Sequence, residues 1–230
     1  MKPYYQDDAV TIYLGDCREV LPLLGPVDLV LTDPPYGVRW QSNHRAQKFA
    51  EIEGDTGTDA AVEAIALALP LLRTYRHIYV FGRYDFGGLP VTAPVELIWD
   101  KGTPSGGDTA SPWGKAHEYI QFMSYVPSKA NVRKGYGKLS ARLRKGSVIS
   151  VHRITGAAVT RHPTEKPVLL LRQMIESSSL IGDTVLDPFA GVGSTLVAAV
   201  VEGRKAIGIE IEERYCEIAA QRMSQAVLPL

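Results

Sequence analysis

The chain has few cysteines, no long apolar run and, over one stretch, no acidic residues. Its two cysteines, Cys17 and Cys216, lack metal-ligand spacing, so we expect buried thiols in a reducing compartment. No apolar run approaches the roughly 18 residues of a membrane span, and the Met1-Lys2-Pro3 start lacks the pattern of a signal peptide. These absences predict a soluble, intracellular protein. The 230 residues, 45% of them apolar, suit one domain with an insertion.

The acid-free stretch is residues 119–164. The chain as a whole carries 25 basic and 25 acidic residues, yet this stretch contains neither Asp nor Glu. Basic runs are usually solvated surface, but this one is also threaded with Tyr125 and Tyr136, and its density predicts an electrostatic footprint for nucleic acid. Its basic residues are Lys129, Arg133, Lys134, Lys138, Arg142, Arg144, Lys145, Arg153 and Arg161.

The most informative motif is Asp33-Pro34-Pro35-Tyr36. It follows an apolar, β-branched run at 27–32 that predicts a buried strand, and two consecutive prolines end that strand. A carboxylate, a donor-free carbonyl and an aromatic ring are thus expected at the strand's carboxyl end, where open α/β sheets bind ligands. Asp33 and the Pro34 carbonyl can accept the N–H groups of an exocyclic amine, and a base can stack on Tyr36. A plain turn after a strand is the alternative interpretation.

A second motif lies towards the other end of the chain. Residues 184–187 predict a short strand, and a turn containing Gly191 and Gly193 leads from it into a helix. The next strand ends in Glu210, where an acidic residue can accept hydrogen bonds from ribose hydroxyls. No Lys follows Gly193 and the spacing is not that of the dinucleotide-binding dehydrogenases. A nucleoside cofactor without a phosphate group to bind fits this pattern best.

Together the motifs resemble those of the DNA amino-methyltransferases, which use S-adenosylmethionine to modify adenine N6 or cytosine N4. The main matches are DPPY at 33–36 and DPFAGVGST at 187–195, and this order resembles the permuted beta subgroup. The resemblance covers residues 10 to 222 approximately. Further matching segments are 13–17, 99–101, 162–167, 208–210 and 214–215.

The resemblance implies an α/β, Rossmann-like methyltransferase fold, with a mostly parallel seven-stranded sheet and one antiparallel strand near an edge. It implies a catalytic half over 1–118, a basic target-recognition insertion with its preceding strand over 119–161, and the cofactor-binding half of the same domain over 162–230. From the residues we expect strands near 10–14, 27–32, 77–81, 95–99, 119–125, 184–187 and 205–210. Helices are expected near 59–73, 167–180, 194–202 and 212–226.

The resemblance also implies roles for individual residues. The expected catalytic residues are Asp33, Pro34 and Tyr36. The residues expected to bind S-adenosylmethionine are Asp16, Thr164, Lys166, Asp187, Phe189, Gly191, Gly193, Ser194, Thr195 and Glu210, and no metal is expected. The residues expected to bind DNA are Arg133, Lys134, Lys138, Arg142, Arg144 and Lys145.

The function that the resemblance implies is methyl transfer to the exocyclic amine of a base flipped out of double-stranded DNA. Adenine N6 is favoured over cytosine N4 because the first motif residue, Asp33, is Asp rather than Ser. The chain has no Pro-Cys pair, which argues against methylation of a ring carbon through a covalent intermediate.

Two other classes of function stay open from the sequence. One is methylation of an amine in RNA or in a protein glutamine, and the other is a catalytically silent DNA-binding module. We expect a cytoplasmic protein, encoded by a bacterium or phage, without a membrane partner. A homodimer and a cognate restriction nuclease are open as partners.

Overall fold

The computed structural model describes residues 1–35, 59–103, 112–127, 145–154 and 165–226, and within these ranges the strands form one nine-stranded sheet. The strands are β1 (Tyr5–Gln6), β2 (Val10–Leu14), β3 (Val27–Thr32), β4 (Leu72–Phe81), β5 (Val95–Asp100), β6 (His117–Ser124), β7 (Val148–Ser150), β8 (Thr184–Asp187) and β9 (Lys205–Glu210). The α-helices are α1 (Cys17–Val20), α2 (Asp59–Ala68), α3 (Val168–Ser178), α4 (Ser194–Val201) and α5 (Glu213–Ala226). Short 3₁₀ turns cover Leu21–Leu23 and Leu69–Leu71.

The strand order across the sheet is β1-β2-β9-β8-β3-β4-β6-β5-β7. The five consecutive strands β2, β9, β8, β3 and β4 are parallel to one another. In contrast, β6 runs antiparallel to both of its neighbours, β4 and β5. The expected Rossmann-like sheet of seven strands, with one antiparallel strand near an edge, is therefore confirmed. Two short strands add to it: β1 pairs with β2 at one edge, and β7 pairs with β5 at the other.

The middle of the sheet joins the two ends of the chain. β3 and β8 are parallel neighbours, with Leu29 opposite Val185 and Val30 opposite Leu186. All six residues of β3 are buried, as expected for a strand that is covered on both faces. Parallel neighbours end at the same edge of a sheet, so the motif after β3 and the motif after β8 meet there.

Helices cover both faces of this sheet. Leu29 and Leu31 belong to a core that includes residues of α3, α4 and α5. Val30 points to the opposite face and belongs to a core with residues of α1 and α2. The alternation follows from the two-residue period of a strand. None of the helices in the described ranges is long and apolar enough to cross a membrane.

The helix expected near 59–73 is wrong at its carboxyl end. The α-helix ends at Ala68, a 3₁₀ turn containing Pro70 follows, and β4 begins at Leu72. Proline has no N–H with which to continue the α-helical hydrogen bonds, which explains the early end. Arg73 then lies in the strand, where its guanidinium is 2.8 Å from the buried carboxylate of Asp28 on β3.

Candidate active site

Four carboxylates lie where adjacent parallel strands end. Asp16 follows β2, Asp33 follows β3, and Asp187 and Glu210 are the last residues of β8 and β9. Because β2, β9, β8 and β3 are consecutive in the sheet, these side chains share one edge. The structure thus brings together the acidic residues that the sequence singled out.

Asp187 joins the two motif strands. Its Oδ1 accepts hydrogen bonds from the Thr32 hydroxyl at 2.7 Å and from the Phe189 N–H at 3.1 Å. Burial raises the pKa of Asp187 to about 6, against the lowering effect of the hydrogen bonds from Thr32 and Thr195. The nearby charge of Asp33 raises this pKa further. The two strand-end carboxylates therefore act on each other electrostatically.

The turn after β8 wraps closely around the end of β9. Gly191 and Gly193 have φ angles of +51° and +79°, which favour glycine. A Cβ on Gly208 would lie 2.8 Å from a methyl of Leu196 and 2.9 Å from the Cβ of Ala190, so this approach requires glycine in the strand as well. A Cβ on Gly191 would meet no atom within 4 Å, so that part of the turn borders open space.

Glu210 holds this turn in place. Its Oε2 accepts the Gly191 N–H and its Oε1 accepts the Glu212 N–H, each at 2.8 Å. Burial nevertheless raises the pKa of Glu210 to about 7. Further hydrogen-bond donors, such as a pair of hydroxyl groups, would stabilise the ionised form of this carboxylate.

Asp16 is engaged locally. It caps α1 by accepting the Arg18 N–H at 2.9 Å, and its carboxylate also forms an ion pair with the Arg18 guanidinium. Hydrogen bonds from Arg18 lower the pKa of Asp16. Its expected role in binding S-adenosylmethionine stays a prediction.

Lys166 lies against the DPPY motif. Its ammonium forms an ion pair with Asp33 Oδ2 and is 3.4 Å from Glu118 Oε2, and its side chain is only 7% exposed. Burial acts to lower the pKa of Lys166, but the charges of Asp33 and Glu118 raise it above its usual value. Pro34 is buried, and the Tyr84 hydroxyl points at its carbonyl oxygen at a long 3.5 Å.

The residue before Lys166 is tied to the glycine turn. Glu165 Oε1 accepts a hydrogen bond from the Ser194 hydroxyl at 3.2 Å and forms an ion pair with Arg222 at 3.0 Å. Arg222 also donates to the Val192 carbonyl at 2.8 Å. The segment at 165–166 therefore contacts both halves of the site.

Of the six residues expected to bind DNA, the structure describes Lys145. Lys145 is exposed, and its ammonium contacts Glu176 on α3 at 2.9 Å, so this charge has an acidic partner from outside the acid-free stretch. No group of three or more His, Cys, Asp or Glu side chains within the described ranges could hold a metal ion. Outside the described residues lie Tyr36, Thr164, Arg133, Lys134, Lys138, Arg142 and Arg144.

Sequence reasoning missed Glu118, Tyr84 and Arg222. Glu118 is the last acidic residue before the acid-free stretch, which is the one signal in the chain that could have drawn attention to it. Arg222 lies on α5, and only the folded chain brings it to the glycine turn.

Comparison with known proteins identifies relatives. A family model described as "DNA methylase" matches residues 27–221. The Type II methyltransferase M.HinfI of Haemophilus influenzae is 28% identical in an alignment of 256 positions, gaps included, that covers 98% of this chain and 71% of that protein.

Two solved structures share the fold. The M1.HpyAVI–SAM complex superposes with a TM-score of 0.71 at 22% identity, covering 93% of this chain and 98% of that chain. The PvuII DNA methyltransferase, described as cytosine-N4-specific, has a TM-score of 0.67 at 19% identity, covering 96% of this chain and 88% of that one.

Proposed function

The chain belongs to the DNA methylase family, and from this premise we propose that it transfers a methyl group from S-adenosylmethionine to adenine N6 in double-stranded DNA. One observation carries the proposal: β3 and β8 are adjacent parallel strands, and an Asp lies at the carboxyl end of each. Asp33, after β3, is suited to bind an amine, and Asp187, at the end of β8, begins the glycine turn. The two reactants of a methyl transfer would therefore meet at one edge of the sheet. Alignment at such a site is a large part of catalysis for an in-line displacement.

The residues around the glycine turn fit this cofactor. Glu210 would accept the ribose hydroxyls, and the turn at Gly191 leaves space beside its backbone. The carboxylates of Asp16 and Asp187 suit a ligand with amine donors and a positive sulfonium better than they suit a phosphate. When bound, S-adenosylmethionine supplies the electrophilic methyl group. M1.HpyAVI, which shares the fold, was solved with this molecule bound.

The residues of the DPPY motif would prepare the nucleophile. An exocyclic amine is a poor nucleophile because its lone pair is delocalised into the base. Asp33 would accept one N–H and the Pro34 carbonyl the other, which favours a pyramidal nitrogen with a directed lone pair. The Lys166 ammonium pairs with Oδ2 of Asp33 and would hold this carboxylate in place as the acceptor.

Cytosine N4 is the second candidate for the target. Asp at position 33 favours adenine, whereas the shared fold of the cytosine-N4-specific PvuII enzyme favours neither base. An amine of a protein glutamine is less favoured, since the glutamine-modifying relatives implied by the resemblance carry Asn in place of Asp33.

For the DNA, we infer that residues 119–161 contain the target-recognition insertion together with the strand that precedes it, β6, between the catalytic and cofactor-binding halves. The composition of this stretch supports the inference, because its charge is entirely positive. The contact between Lys145 and Glu176 is an exposed ion pair, which is worth little, so Lys145 can exchange it for a phosphate.

The first prediction concerns Asp33. Asp33→Ala should abolish methyl transfer to duplex DNA, because the carboxylate acts mainly in the transition state, while affinity for S-adenosylmethionine changes by about threefold or less. Asp33→Asn, which keeps the shape beside Lys166, should fold normally and still lose most activity. Asp85→Ala, in an exposed turn after β4, is the control. Turnover of either Asp33 variant within about tenfold of the parent would contradict the assignment.

The second prediction concerns Glu210. Truncation of the Glu210 side chain would leave the ribose hydroxyls without their acceptor, which costs about 1–3 kcal/mol of binding free energy. Glu210→Ala should therefore weaken S-adenosylmethionine binding by about tenfold or more. The ionised carboxylate is the better acceptor and its pKa is about 7 in the free protein, so protonation should compete with binding at lower pH. Affinity in the parent should therefore rise from pH 6 to pH 8.

Calorimetry across this pH range checks the prediction. Glu210→Gln should bind weakly and lose that part of the pH dependence, while Glu217→Gln, on the exposed side of α5, should behave as the parent. If a folded Glu210→Ala variant bound as tightly as the parent, the ribose site would lie elsewhere.

The third prediction concerns the basic insertion. Alanine replacement of single residues that contact phosphates should weaken binding to all duplexes alike and reduce the salt slope by about one unit each. Alanine replacement of a residue that contacts a base edge should instead cost about 1–3 kcal/mol of binding free energy at one target position only. We expect Arg142 or Arg144 to be that residue. Binding to specific and scrambled duplexes at several salt concentrations separates the two.

The replacement of all six predicted DNA-binding residues tests the whole stretch. If affinity and salt slope survived the replacement of Arg133, Lys134, Lys138, Arg142, Arg144 and Lys145, the stretch would be ordinary solvated surface.

A further inference from the structure

A row of four alternating charges leads away from the DPPY motif. Asp33 forms an ion pair with Lys166, whose ammonium is 3.4 Å from Glu118 Oε2, while Glu118 Oε1 is 2.5 Å from the Lys101 ammonium. These four residues, called the charge row below, come from four different parts of the chain. Only Asp33 and Lys166 were expected to belong to the site.

The antiparallel strand brings Glu118 to this edge. β6 runs opposite to its neighbours, so its first residues lie where the parallel strands end. Glu118 is the second residue of β6 and is opposite Trp99 on β5. A parallel strand at this position would present its carboxyl end here instead, so strand direction is what places the acid beside Lys166.

Lys166 depends on both of its acidic neighbours. Its side chain is almost fully buried, and a buried ammonium is stable only when it is paired. The Phe81 ring centroid is 5.0 Å from its nitrogen, which closes off another direction for movement. The ammonium is thus held between two carboxylates and an aromatic ring.

The contacts of Lys166 with Asp33 and Glu118 differ in strength. The ammonium donates a hydrogen bond to Asp33, whereas Glu118 Oε2 is buried, lies 3.4 Å from the ammonium and raises the pKa of Lys166 chiefly through its charge. Lys101 fixes the other oxygen of Glu118 and lies 5.1 Å from the centroid of the Trp99 ring. Glu118 therefore supplies a fixed negative charge behind Lys166.

We propose that Glu118 is a positioning residue for methyl transfer, which holds Lys166 cationic and in place so that Lys166 in turn orients Asp33 towards the amine. This inference rests on the proposed function. Glu118 does not contact the reacting atoms and acts through Lys166.

The charged groups around Lys166 set the direction of the effect. Burial lowers the pKa of Lys166, and Asp33 and Glu118 raise it. Lys101 in turn lies beside Glu118, and the charge of Asp33 acts on Asp187. Neutralising Glu118 removes one of the two raising charges and leaves Lys101 without this partner. The pKa of Lys166 should therefore fall.

The test is Glu118→Gln, an isosteric change that removes the charge. We expect kcat to fall by about tenfold or more, with the Kd for S-adenosylmethionine and the KM for DNA within about threefold of the parent. The basic limb of the pH–rate profile should move to lower pH. Glu118→Asp, which keeps the charge, should recover part of kcat. Glu96→Gln is the matched control. Glu96 lies on β5, and its ion-pair partner is Arg83, at 2.7 Å, which does not belong to the charge row.

A double-mutant cycle tests whether Glu118 acts through Lys166. In a Lys166→Met background, Glu118→Gln should lower kcat by no more than about twofold further, because the group through which it acts is gone. Equal effects of Glu118→Gln in both backgrounds would overturn the proposal.

A measurement without substrates separates this inference from the proposed function. NMR titration of the Lys166 side chain in the ligand-free protein should give a lower pKa in Glu118→Gln than in the parent. An unchanged Lys166 titration, or a kcat within about threefold of an active parent, would overturn the positioning role. A parent that transfers no methyl group to DNA would instead overturn the proposed function.

Discussion

The parallel pairing of β3 with β8 is the constraint on which the rest of the site depends. It joins strands that lie far apart in the chain, and the 2.7 Å hydrogen bond from Thr32 to Asp187 links residues separated by 155 positions. Because both strands are buried and parallel, their ends lie side by side. The DPPY motif and the glycine turn are therefore held next to each other by main-chain hydrogen bonds rather than by loops.

Four carboxylates lie at this edge of the sheet, and each of them has a different environment. Burial raises the pKa of Asp187 to about 6 and that of Glu210 to about 7. Asp16 has a guanidinium beside it, which lowers its pKa, and Asp33 has the buried ammonium of Lys166. Separate environments assign separate tasks to chemically similar groups. The carboxylate that would touch the amine is the one that carries its own buried cation.

The segment at Glu165 and Lys166 connects the two halves of the site. Glu165 contacts Ser194 and Arg222 at the glycine turn, and Lys166 contacts Asp33 at the other motif. One short segment of the chain therefore contacts both motifs.

Much of the fold follows from local sequence patterns. The strands that end in Asp187 and Glu210 were predictable because apolar runs end abruptly at an acidic residue, and the direction of parallel strands then places those acids at one edge. Glu118 was not predictable in this way, since its place beside Lys166 depends on β6 lying between β4 and β5, and the pattern within one strand does not reveal its neighbours.

Other misses have the same cause. The two-residue strand β1 and the three-residue strand β7 are too short to leave a periodic pattern and exist because neighbouring strands offer unpaired edges. The partner of Lys145 is Glu176, 31 residues further along the chain, which composition within a window cannot find. Local patterns predict elements and their ends, whereas pairing between distant segments depends on the assembled sheet.

The chemical identity of the product shows whether this protein methylates an exocyclic amine in DNA. Purified protein would be incubated with duplex DNA and S-adenosylmethionine carrying a deuterated methyl group, and the DNA would be digested to nucleosides for mass spectrometry. We expect the label in N6-methyldeoxyadenosine. Label in N4-methyldeoxycytidine alone would contradict adenine as the target base, and DNA without label in either nucleoside would contradict methyl transfer to an exocyclic amine.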